Sequence, residues 1–358
     1  MPGRGFGLLF AGWHGLARFW ILVGTLLVIC GLTLQVLGPL PERQPQSAAS
    51  VPPLPASQPP PQPARPLAQA AVQAPPAQRP GRDTPGPIAD PDPALLEPMA
   101  GSTTDLLPRI AADGRMPMQV YAAGFDSSSR RPRVGLLLVG IGLNQADSET
   151  AIRSLPGGIT LAISPYAENP TKLLVDARLA EHEYLLSVPM EPQGFSLNDP
   201  GQQALMTNLS LEQNHARLEW ALSRIQGYAG VTSALGGGLL GERFASLPDD
   251  LHPVLAELAH RGLLYVDPRS DAPPLPYVWS RRVDVIVDEP GTATGIDDKL
   301  AELSRLAHTK GAALGLATAP RPVTIQRIAA WANGLTADGL ALAPVSALVE
   351  PPAKGTGP

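Results

Sequence analysis

The sequence predicts an α/β domain, a distorted (β/α)7-type barrel, preceded by one transmembrane helix and an unstructured linker. Three observations carry this reading. Strand-like and helix-like segments alternate from about Met116 onward, the pattern of a parallel sheet with helices packed outside it. A long apolar run lies between Arg18 and Glu42 with no charge inside it. The chain holds 42 prolines, and they crowd the stretch between those two regions.

The apolar run, FWILVGTLLVICGLTLQVL from Phe19 to Leu37, is the length of a bilayer-spanning helix, which needs ~20 residues for a core of ~30 Å. A cleaved signal peptide would carry a shorter apolar stretch of ~7–15 residues and a small-residue cleavage site. A retained anchor over residues 19–40 is therefore expected. Arg4 and Arg18 precede it without any acid, which keeps residues 1–18 in the cytoplasm and the rest of the chain outside. In a Gram-negative bacterium that is the periplasmic side of the inner membrane. Residues 41–105 are rich in Pro, Ala and Gln. Such a segment cannot bury enough surface to offset its ordering entropy, so it reads as an extended spacer. A Pro-x-x-P ligand for a protein partner is the sharper alternative.

The domain is expected over residues 106–350, followed by a tail at 351–358. Strands read at 134–139, 159–163, 183–188, 229–233, 263–266, 283–287 and 313–317, with a last one near 340–345. Helices read at about 145–154, 169–181, 210–226, 249–260, 296–309 and 324–333. Ser210 and Gln213 form a capping box, and Leu211, Leu218, Leu222 and Ile225 mark the apolar stripe of the helix that follows. Gly262 stops the helix before the strand Leu263–Val266.

Composition excludes several functions. The net charge is -5 and the pI is near 5.7, and without a basic tract a nucleic-acid partner is not expected. The single cysteine, Cys30, permits neither an internal disulfide nor a cysteine zinc site. The six histidines lack the spacing of a metal motif. His215, His252, His260 and His308 fall on predicted helices, where surface positions are expected. Gly236-Gly-Gly-Leu-Leu-Gly241 matches a Gly-x-Gly-x-x-Gly string after a strand, but Pro248 follows closely and leaves little helix. A dinucleotide site needs that helix for the pyrophosphate, so a loop at a strand end is the better reading.

Chemistry in such folds sits at the carboxyl ends of the strands. The first strand ends there in Val139-Gly-Ile-Gly142, which can neither bind a metal nor move a proton. Polar residues at other strand ends are Tyr166, Glu191, Ser233, Asp267, Arg269, Asp271, Asp288, Glu289 and Thr318. A ring of such carboxylates can hold a divalent cation. The structural alternative is that Asp267 and Arg269 cap turns or pair with each other, and that Glu191 accepts backbone N–H bonds. No resident cofactor is expected, with a divalent cation left open.

The order of these segments resembles the divergent polysaccharide deacetylase family, a branch of the carbohydrate-esterase, NodB-like superfamily. The resemblance rests on MQVYAAGFD (118–126), RPRVGLLLVGIGL (131–143), LPGGITLAISPYA (155–167), HEYLLSVPMEP (182–192), GYAGVTSALGG (227–237), RGLLYVDPRS (261–270), DVIVDE (284–289) and LAPVSALV (342–349). It implies a metal held by an acid and histidines, with a second acid as general base and the metal activating water. This chain departs from that pattern. Val139 and Gly140 stand where the resemblance places paired acids, Ala234 where it places a histidine, and Ala317-Thr-Ala-Pro320 where it places a Gly-His-Pro turn.

The resemblance therefore implies a membrane-anchored protein linked to cell-envelope glycan, binding polysaccharide or peptidoglycan with degenerate catalysis. Tyr166 would stack on a sugar ring, and Glu191, Asp267 and Arg269 would bond its hydroxyls. One alternative is an active deacetylase with a rearranged carboxylate site of Glu191, Asp267 and Asp288. Another is a non-catalytic envelope scaffold that binds a protein partner.

Overall fold

The structure, a computed structural model, describes residues 20, 23–25 and 81–353. The chain divides into two units, Met1–Val72 and Gln73–Pro358. In the first, residues 20 and 23–25 are helical; the rest of the expected anchor, and the linker up to residue 80, lie outside the described residues. Among the described residues no helix is long and apolar enough to cross a membrane.

Residues 81–105, which the composition assigns to the linker, belong to the second unit. Ile88 and Leu95 are buried, and a short 3-10 turn at Pro93–Leu95, capped by the Asp92 side chain, leads into β1 (Leu96–Pro98). β1 pairs antiparallel with β2 (Leu106–Pro108). The prolines hide this order, because two apolar side chains in a Pro-rich stretch leave no periodic pattern.

The main sheet is a parallel half-barrel. Its strands are β3 (Arg133–Ile141), β4 (Thr160–Ile163), β5 (Tyr184–Ser187), β6 (Gly230–Thr232), β7 (Leu264–Asp267), β8 (Ser280–Arg282), β9 (Val285–Ile286) and β10 (Ala312–Ala317). They run in the order β8-β7-β6-β5-β4-β3-β10-β9, and β11 (Ala341–Leu342) pairs with the start of β3. Helices Gln145–Ser154, Pro170–Leu179, Leu211–Ser223, Pro248–His260, Ala293–Lys310 and Pro322–Gly334 fall between strands, close to their predicted bounds.

The expected (β/α)7-type barrel is present as a half-barrel, and no helix falls between β7 and β8. Residues 268–279, between β7 and β8, hold four prolines (268, 273, 274 and 276), which remove donors and break any helix. The strand expected at 283–287 is shortened to β9 (Val285–Ile286), and β8, not expected from the sequence, precedes it. The two ends of the strand order are consecutive in the chain. Arg282 lies opposite Asp267 and Ile286 opposite Leu316. Between them the Val283 N–H bonds Asp267 O and the Asp284 N–H bonds Leu314 O.

Alternation along the strands sorts the core into two layers. Leu136, Leu138, Leu161, Leu186 and Val231 pack with the helices. Leu137, Val139, Ala162, Leu185, Leu264, Val266 and Leu316 form the other layer, with Met118, Tyr121, Val345 and Leu348 from the flanking segments. Of the predicted stripe on Leu211–Ser223, Leu218 and Leu222 are buried, but Leu211 is 60% exposed. It opens the first turn, where the helix has not yet come down onto the sheet.

Candidate functional site

The carboxyl end of β3 turns sharply through Gly140 (φ 81°) and Gly142 (φ 91°). These are left-handed conformations that only glycine adopts without strain. The Gly142 N–H donates to the Ser148 hydroxyl at 2.9 Å, fixing the turn to the next helix. Asn144 caps that helix by accepting from the Asp147 N–H at 3.0 Å.

The Gly236-Gly-Gly segment after β6 folds back over this end. It is a hydrogen-bonded turn, with the Leu235 N–H bonded to Leu239 O and the Leu239 N–H to Gly236 O. Gly236 has φ 128°, and a Cβ on it would stand 2.9 Å from the Gly140 Cα. The Gly237 N–H reaches Thr318 O at 2.9 Å. Gly236 thus permits close approach of backbone to backbone, while Gly237 (φ 61°) and Gly238 (φ 85°) supply the left-handed backbone of the turn. Glu242–Ala245, just beyond, is a helix of only four residues.

Asp288 anchors the other side of the same end. It is 1% exposed. Its carboxylate accepts from the Thr318 N–H at 2.8 Å, the Thr318 hydroxyl at 3.1 Å and the Ala319 N–H at 3.2 Å. Both oxygens are occupied in holding the 318–319 turn against Gly237.

Glu191 is likewise committed. One oxygen accepts from the Thr207 N–H at 2.7 Å and the Thr207 hydroxyl at 2.8 Å, and the other faces Arg243 Nε at 2.8 Å. Asp267 forms a two-pronged pair with Arg269, at 3.0 Å to Nε and 2.7 Å to Nη2, and also accepts the Arg269 N–H. Tyr166 is half-buried. Its hydroxyl donates to Pro200 O at 3.1 Å, and its ring lies 5.5 Å from that of Trp220. Burial pushes its phenol above the ordinary tyrosine value. Of the residues picked from sequence, the structure joins Asp267 to Arg269 and Asp288 to Thr318.

The metal that the resemblance implies does not fit these residues. Among the described residues no three His, Cys, Asp or Glu side chains are grouped to hold a metal ion. Gly140, Ala234 and Thr318 occupy the relevant strand ends, Ala234 being fully buried. His182, the one buried histidine among the described residues, places its two ring nitrogens 2.8 Å from Ile159 O and 3.1 Å from Ile152 O.

Beside the closed end lies an open cleft of about 370 Å³, lined by Gln193, Glu242, Arg269, Ser270, Asp271 and Asp284, among others. The Gln193 N–H donates to the Glu242 carboxylate at 3.3 Å, so loops after β5 and β6 meet at its rim. Sequence reasoning named Arg269 and Asp271 here and missed Gln193 and Glu242. The only signal for those two was their position just beyond strand ends.

A family model described as divergent polysaccharide deacetylase matches residues 137–349. The crystal structure of ATU2773, an uncharacterized protein from Agrobacterium tumefaciens C58, is similar at 33% identity and a TM-score of 0.62, covering 68% of this chain and 100% of that one. EF3048 of Enterococcus faecalis V583 is similar at 12% identity and a TM-score of 0.43, covering 62% of this chain and 100% of that one. No curated protein matches the sequence. With most of its second unit matched by the family model, and a relative at that identity covered along its whole length, the chain belongs to the divergent polysaccharide deacetylase family.

Proposed function

We propose that this protein binds a cell-envelope glycan without hydrolysing it. It would be held at the outer face of the bacterial inner membrane by residues 19–40, with the linker as spacer and the half-barrel domain facing the periplasm. The observation that carries this reading is the contrast at the strand ends. The place where the resemblance would put a metal is filled by packed backbone from Gly140, Gly236 and Thr318. The neighbouring cleft of about 370 Å³ stays open and is lined by groups of both hydrogen-bonding senses.

Such a cleft suits a polyhydroxylated ligand. Each sugar hydroxyl both donates and accepts, and Arg269, Gln193, Ser270, Asp271 and Glu242 offer partners for both roles. Arg269 is held rigid by Asp267, so it loses little freedom on binding. Tyr166 makes its contacts with Trp220 and Pro200 instead, so the stacking role first given to it drops out of the proposal.

The test is co-sedimentation of the full chain with insoluble peptidoglycan, together with an acetate-release assay on an acetylated oligosaccharide. Binding that falls in an Asp271→Ala, Gln193→Ala double variant, without acetate release, is the expected result. Acetate release that a chelator stops overturns the non-hydrolytic reading. Binding unchanged by the double variant overturns the cleft.

A further inference from the structure

We infer that the opposite end of the sheet carries a separate saccharide-binding groove. A cavity of about 680 Å³ opens there, within the range of roughly 300–1,000 Å³ typical of small-ligand pockets. Its walls include Arg82, Asp83, Phe125, Arg133, Trp279 and Glu350. Arg133 begins β3 and Trp279 directly precedes β8, so the groove lies at the amino ends of the strands. In barrels of this kind that end ordinarily serves stability.

Its chemistry is that of a neutral, polyhydroxylated ligand. Two arginines supply donors and two acids supply acceptors, and Glu350 also faces Arg281 Nη1 at 3.8 Å, so neither charge sign dominates. The Arg133 guanidinium lies 5.0 Å over the Phe125 ring and donates to Ala347 O at 3.1 Å, which fixes it. Arg82 is held by Gly86 O and Pro87 O, while its buried Nε has no acceptor. Trp279, half-buried, adds flat apolar surface for the C–H face of a ring.

A peptide strand is a poorer occupant, because the wall backbone is already paired. Ser280 and Glu350 exchange two hydrogen bonds, and the Phe125 N–H donates to Arg82 O at 2.8 Å. Little free edge is left for an added strand.

The groove does not rest on the cleft at the other end of the strands, and one titration separates them. The full chain, in a sugar-free detergent, is titrated calorimetrically with a tetramer of N-acetylglucosamine and a tetramer of glucose. At least one tetramer should bind, and Trp279→Phe and Asp83→Ala should each weaken it about tenfold, the scale of one lost stacking or polar contact. In an Asp271→Ala background, which removes a cleft contact, the groove's share of the binding should persist and should still fall on adding Trp279→Phe or Asp83→Ala. Asp83 is exposed, so its variant stays informative even if Trp279→Phe fails to fold. Binding lost only in Asp271→Ala overturns the groove and supports the cleft. Binding indifferent to all three variants, or absent altogether, overturns the groove.

Discussion

His182 and Glu183 are adjacent in the chain and face opposite layers of the fold. His182 places Nδ1 2.8 Å from Ile159 O and Nε2 3.1 Å from Ile152 O, toward a helix and the loop after it. Glu183 accepts from the Ala123 N–H at 3.1 Å, the Ser346 N–H at 3.1 Å and the Thr160 hydroxyl at 3.3 Å. The alternation of an extended chain separates them. One carboxylate thereby ties the segment before β3, the strand β4 and the 3-10 turn Val345–Ala347 together.

Burial pushes the Glu183 carboxyl above the ordinary glutamate value of 4.5, against the hydrogen bonds that lower it. A raised folded value means that its stabilising contribution is full below the ordinary value and is lost as pH rises through the folded one. Thermal melts should therefore show a Glu183-dependent decline in Tm on the rising limb, and Glu183→Gln should flatten it. Glu183→Ala should cost upward of about 3 kcal/mol, since each buried donor left without an acceptor costs roughly 1–3 kcal/mol. A Glu183→Gln variant with an unchanged pH slope would show that another group carries the effect.

His182 acts in the other direction. Burial holds it below the ordinary histidine value of 6.5, against two carbonyl contacts that raise it. Its contribution is therefore present above that value and lost as pH falls toward the folded one. His182→Gln should remove this acid-side loss and lower stability by about 1–3 kcal/mol at neutral pH, because a buried carbonyl loses its donor. Denaturant titration on either side of about pH 6 reads both effects.

Restoring an acid at the end of β3 should not restore a metal site. Gly140 has φ 81°, and a Cβ there lies 3.4 Å from the Pro320 ring and 3.6 Å from Thr318 O. Gly140→Asp should lose about 1–3 kcal/mol to the left-handed backbone strain. It should still retain far less than one equivalent of zinc after dialysis, because Ala234 and Thr318 supply no imidazole. Elemental mass spectrometry decides this, and one tightly held equivalent would refute it.

The parallel sheet was legible because its strands are short apolar runs separated by helices with a 3.6-residue period. Leu136 to Val139 read as a buried strand from sequence alone. The order of residues 81–105 was not legible, because Ile88 and Leu95 are isolated among prolines and find their partners only across the fold. The seal over Gly140 was hidden for a related reason. Gly236-Gly-Gly238 shows in sequence as a string open to several turns, and only the Gly237 bond to Thr318 O, 81 positions away, shows what the glycines are for. The pairing of Asp267 with Arg269 was open from their spacing. The Thr207 and Arg243 partners of Glu191 were not, since both arrive from other loops.

Those partners set the expected behaviour of Glu191. Its side chain is 6% exposed, and its pairing with Arg243, itself 55% exposed, is the weaker half of its environment. The stronger half is the Thr207 N–H and hydroxyl on one oxygen, which clamps the loop ahead of the helix that Ser210 caps. Glu191→Ala should therefore lower stability by about 2–4 kcal/mol, from two orphaned donors and lost packing. Arg243→Ala should cost under about 1 kcal/mol. Glu191→Gln keeps one acceptor for Thr207 and should fall between them. Where Glu191→Ala weakens glycan binding, the loss should track the fraction of unfolded protein, measured by circular dichroism on the same sample. A Glu191→Ala protein with unchanged Tm and selectively lost binding would return Glu191 to the ligand site and contradict the clamp.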